Sequence, residues 1–218
     1  PDVAARMYAL RPDRVLTAEE EALRDLCFRL LLDADGSDIP LAGAEARDRD
    51  RAGYLTYRRE LAASHLGRWI AHDSIVEGLV EFLDTVPPVL RAETEPQEVR
   101  DEAHLRELGR KQSDRAARYQ ALVALAASGS RDAVPALAGL LTDPQLGGFA
   151  WVHIARLVDP HVRLRLTDSQ RATHKTLWGI DADAPMADRA RLQERLLSWW
   201  DEHAEDVTLS RRYAVSYD

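Results

Sequence analysis

The sequence predicts an all-α fold, and three observations carry that expectation. Apolar residues recur at the 3.6-residue helical period along most of the chain. Residues that cap helix starts, and glycines that end helices, fall at the borders of those stretches. Alanine and leucine dominate, isoleucine is scarce, and strand alternation is nowhere convincing.

The elements follow in order. Thr17-Ala-Glu-Glu20 is a capping box, in which the Thr17 hydroxyl and the Glu20 carboxylate satisfy free amides reciprocally. Behind it Leu23, Leu26, Cys27 and Leu30 keep the spacing of one helix face, and Gly36 stops the helix. Residues 47–66 read as a charged helix with Tyr54, Tyr57, Leu61 and His65 on one side. Val76, Leu79, Val80 and Leu83 mark the next face, closed by Pro87-Pro88. Residues 91–112 are acidic and poor in large apolar side chains, which predicts a linker or a polar helix between an N-terminal helical part (1–90) and a C-terminal one (113–206). All of it could equally form one domain. Helices are expected over 116–127, 132–141 and 149–158, separated by Gly129 and by Gly147-Gly148. Thr167 to Gln170 forms another capping box, and Asp183 and Pro185 open a last helix running to about His203. Residues 207–218 read as an irregular tail.

Within residues 115–143 an alanine-rich helix (AARYQALVALAAS) meets a short turn and the stretch Asp132-Ala-Val-Pro-Ala-Leu137, and Thr142-Asp143-Pro144 follows. This pattern resembles a HEAT repeat, with Pro135 in the first turn of the second helix. The unit beginning at Gly147 departs from the family pattern, because Phe149 and Trp151 stand where alanine is common. The resemblance implies a HEAT-like array of antiparallel helical hairpins, either an α-solenoid or an irregular helical bundle, with a protein-binding role. It further implies that the second helix of each hairpin faces the partner. On that helix Val134, Leu137, Ala138 and Leu141 would face the core, leaving Arg131, Asp132, Ala136 and Gly139 toward solvent or partner.

Other constellations carry residue types suited to chemistry. Asp33, Asp35 and Asp38 are spaced like the carboxylates of a calcium loop. Such a loop needs glycine at its sixth position and glutamate at its twelfth, and these positions hold Asp38 and Ala44. A polar turn closing a helix is the expected reading, with these three carboxylates as the first suspects for any metal. His72-Asp73 resembles the paired metal ligands of HD-type phosphohydrolases, but His65 lies two turns upstream, too far to share one ion. A cap or surface role is expected for His72. Arg110, Lys111, Arg115 and Arg118 form a basic stripe among acidic neighbours, which reads as a solvated, salt-bridged face. Trp199 and Trp200 close the last helix and are both expected in the core. No HExxH, GxSxG, P-loop or GxGxxG occurs.

Composition bounds the rest. The 218 residues suffice for one large or two small domains, each with a core. A net charge of -8 argues against a nucleic-acid partner and suits a basic protein partner. Cys27 is the only cysteine, so neither an internal disulfide nor a thiolate metal cluster can form. Two lysines against many arginines, with no asparagine, suggest a GC-rich bacterial genome. No apolar run approaches the length of a membrane span. Cytoplasmic location is the default, and the start at Pro1 leaves room for a removed leader. These observations predict a protein-binding scaffold or adaptor without catalysis or cofactor, including an acidic inhibitor or immunity-type protein as a sub-type. The alternative is a helical-repeat enzyme or nucleic-acid-processing protein.

Overall fold

In the computed structural model, residues 15–33, 36–38, 48–68, 72–86, 102–158, 185–207 and 209 are described. Among them the chain is helical throughout, with seven α-helices and no strand. The helices are α1 (Ala18–Leu32), α2 (Asp48–Arg68), α3 (Asp73–Thr85), α4 (Glu102–Ser128), α5 (Ala133–Gly139), α6 (Gly147–Val158) and α7 (Met186–His203); a 3₁₀ turn over Leu140–Thr142 continues α5. The chain divides into two compact units, Pro1–Ala124 and Leu125–Asp218. Of the stretch 91–112, residues 102–112 lie in α4 and 91–101 lie outside the described residues. The capping box at Thr167 and the tail beyond residue 209 also lie outside them.

In the first unit α1 packs on α2 and on α3. Helix α1 begins where the sequence places it. Thr17 Oγ1 accepts the Glu20 N–H at 3.3 Å, and Glu20 Oε2 accepts the Thr17 N–H at 2.8 Å. The chain then turns through Gly36 at φ 76°, a conformation that costs glycine nothing. Along α3 the buried set is Ile75, Val76, Leu79, Phe82 and Leu83, the expected face with two further members. Val80 is only half-buried. On α1 the face shifts: Cys27 and Leu31 are buried, whereas Leu26 is exposed.

The second unit contains α5, its 3₁₀ extension, α6 and α7, with α5 packed on both α6 and α7. Val134, Leu137, Ala138 and Leu141 are fully buried, as their period predicts. Gly129, at φ 63°, makes the turn before α5. The start of α6 is fixed by Asp143, whose Oδ1 accepts the N–H groups of Gln145 and Leu146. Gly147 is required there, because a Cβ would collide with the Leu141 carbonyl and the Arg189 guanidinium of α7. Among the described residues no helix is long and apolar enough to cross a membrane.

Candidate functional site

Among the described residues of the first unit, helix α2 carries three exposed large apolar side chains. Tyr54, Tyr57 and Leu61 do share one side, but it is the solvent side. They are 38%, 62% and 43% exposed. The buried side is Leu55, Arg59, Ala62, Ala63 and Leu66, on the opposite face of the helix. Arg59 stands within that buried side. A fully buried arginine stands in the middle of the packed stripe, so an apolar count misplaces the core face.

Two of the three guanidinium nitrogens of Arg59 are met, and Nη2 is buried without a hydrogen-bond partner among the described residues. Its Nε donates to the Leu31 carbonyl at 2.6 Å, at the C-terminal end of α1. Its Nη1 donates to Ser113 Oγ at 2.8 Å and to Asp114 Oδ1 at 2.7 Å, both on α4. The guanidinium thus ties α1, α2 and α4 together and offsets the negative end of the α1 dipole. Burial pushes the Arg59 pKa down, and the hydrogen bond and charge of Asp114 oppose this. The second Asp114 oxygen accepts from Arg110 Nη1 at 3.2 Å, and Arg110 also forks onto Glu107. That fork holds the Glu107 carboxyl below its usual range. Gly67 lies against Ala124 farther along the same two helices, where a Cβ would sit 3.0 Å from the Ala124 Cβ.

The carboxylates considered for calcium are engaged by arginines. Asp33 is buried, pairs with Arg58 at 2.8 Å and accepts the Asp38 N–H. Asp38 takes both Nε and Nη2 of Arg29, which holds its carboxyl below the usual range. Asp35 lies outside the described residues. Among the described residues no group of three or more His, Cys, Asp or Glu side chains is placed to share a metal ion. The basic stripe divides: Arg110 and Lys111 pair with acids and Arg115 is exposed, but Arg118 is buried and does not belong to a solvated face.

In the second unit Arg131, Asp132 and Gly139 are exposed and Ala136 is half-buried. Arg131 stands 3.8 Å from the Glu205 carboxylate. Asp132 precedes α5 without a side-chain capping bond, and Gly139 faces open space. Of the four residues expected at a partner surface, Arg131 and Asp132 lie in the turn before α5, and Ala136 and Gly139 lie on the helix. Trp200 is in the core, whereas Trp199 is half-buried and stacks on His203 at 5.1 Å. The core expectation for Trp199 fails because consecutive helical residues point about 100° apart and α7 buries one face.

His72 caps α3, where its Nδ1 accepts the Ser74 N–H. Sequence reasoning missed two groups here. The Arg59–Asp114 pair spans 55 residues and no local pattern marks it. The Ser74 hydroxyl beside His72 could have been noticed as a serine two residues beyond a histidine at a helix start. The chain matches no protein-family model, no curated protein and no solved structure.

Proposed function

We propose that the chain is a protein-binding helical module of the HEAT-like kind. One observation carries the reading: the ridge of Tyr54, Tyr57 and Leu61 on α2. Burial of the ridge would remove aromatic and aliphatic surface from water, the usual energetic centre of an interface. It spans eight residues, about 10 Å of helix over seven steps of 1.5 Å. A flanking contact with little side-chain entropy to lose is available in Gly53, where a Cβ would meet nothing within 4 Å. The α4–Gly129–α5 order, with Pro135 in the first turn of α5, supports the HEAT-like kind. The turn before α5 and the helix itself, with Arg131, Asp132, Ala136 and Gly139, form a second surface of the same role. The net charge of -8 favours a basic partner.

The test is quantitative capture from a lysate of the source organism with three forms of the chain. These are the natural sequence, Tyr57→Glu with Leu61→Glu, and Ala136→Glu with Gly139→Arg. The account predicts a protein retained by the first form and reduced at least tenfold by the α2 double change. Retention that is equal on all three folded forms contradicts it.

A further inference from the structure

The contact between His72 and Ser74 has hydrogen-bond directions that chemistry fixes. His72 Nδ1 accepts the Ser74 backbone N–H at 3.2 Å. An amide nitrogen only donates, so Nδ1 carries no proton. Ser74 Oγ lies 2.8 Å from the same Nδ1. A bare ring nitrogen only accepts, so the hydroxyl donates to it. On its other side Ser74 Oγ receives Arg24 Nη1 at 3.2 Å. The hydroxyl therefore has a base on its proton and a cation on its oxygen, which is how a serine is made nucleophilic.

Other features of the fold serve this arrangement. Arg24 Nε and Nη2 both reach Asp25 Oδ1, at 2.9 and 2.8 Å, which leaves Nη1 for Ser74. One turn farther along both helices, the Phe28 ring of α1 lies against Gly78 of α3, where a Cβ would collide with it. That glycine lets the two helices close, and the approach brings Arg24 within reach of Ser74. Ser74 is the second residue of a 13-residue helix, where the macrodipole favours a developing negative charge. His72 and Ser74 are each partly exposed, so a reagent reaches them in the folded chain.

The geometry points to Ser74 as a nucleophilic serine with His72 as its base, acting on small activated carboxylic esters. This goes beyond the binding role and shares no residue with it. Ser74 Oγ attacks the ester carbonyl carbon as its proton passes to His72 Nδ1. The carbon–oxygen bond to the leaving alcohol then breaks, and that oxygen takes the proton from the imidazolium. Water attacks the acyl-serine with the same base, releasing the acid and restoring the hydroxyl. Arg24 stabilises the charge that builds on Oγ when its proton leaves.

An alkyl fluorophosphonate tests this, because it traps such a serine: the Oγ–P bond forms, the P–F bond breaks, and the proton leaves with fluoride. The native chain is expected to gain one adduct, located by tandem mass spectrometry on Ser74. Chain denatured in guanidinium chloride is expected to gain none. His72→Asn retains an N-cap acceptor but removes the base, so it separates capping from catalysis. It should slow labelling by about 100-fold or more, the usual contribution of a general base. Arg24→Met should slow it by about tenfold. Ser74→Ala keeps the His72 cap, so it should fold as the natural chain does and take up no label. No adduct on the native chain, an adduct on another residue, label retained by Ser74→Ala, or a His72→Asn rate equal to that of the natural chain would each overturn the proposal. The Tyr57→Glu, Leu61→Glu form should label at the natural rate, so the two proposals fail separately.

Discussion

At the scale of single residues, Arg59 decides most about the first unit. It is fully buried, and its position is stabilised only while Asp114 answers its charge. Removal of one partner from a buried pair costs about 3–5 kcal/mol, because the other charge is stranded. Asp114→Ala should therefore lower the unfolding free energy by about that amount in denaturant titration. The double change Arg59→Met with Asp114→Leu should cost less than Asp114→Ala alone, since it strands no charge. A loss below about 1 kcal/mol for Asp114→Ala would mean that the pair is not buried as described. Cys27 gives a second residue-scale expectation. Burial pushes its thiol up to about 11. In the unfolded chain the thiol ionises first, near its ordinary pKa of about 8.5. Its contribution to stability is thus intact below that pH and is lost as pH rises toward 11. Iodoacetamide at pH 8 should leave Cys27 unmodified in the native chain and alkylate it in denaturant; rapid native alkylation would contradict its burial.

At the scale of elements, helix borders were legible because their causes are local. The Thr17–Glu20 box, Gly36, Gly129 and Pro185 act through neighbouring amides or a required backbone angle. The packed face of α5 was legible because nothing polar interrupts its period. The face of α2 was not, since a buried arginine reads as solvent-facing in any apolar count. The period put Tyr54, Tyr57 and Leu61 on one side of the helix, but which side is packed depends on Arg59, whose partners lie 54 and 55 positions away. The surface at Arg131, Asp132, Ala136 and Gly139 could be placed from the period, but the period says nothing of what meets it. Leu137 tests the packed face. It is fully buried, so Leu137→Ala should cost about 2–5 kcal/mol, and an unchanged denaturant midpoint would contradict the packing of α5.

At the scale of the whole molecule, the described residues of each helical unit bury an apolar stripe of their own. The helical class was legible from alanine, leucine and the 3.6-residue period, because those preferences act on every element alike. A role is not legible in that way, since the use of a surface is defined by what covers it and sequence records only one side. The central claim is that α2 meets a protein through its exposed ridge. The most direct measurement is the rate of Tyr57 nitration in the free chain and in the complex recovered by capture. Tyr57 is 62% exposed, so it should nitrate readily when the chain is free. The account predicts at least tenfold slower nitration of Tyr57 in the complex; an unchanged rate would show that the partner sits elsewhere.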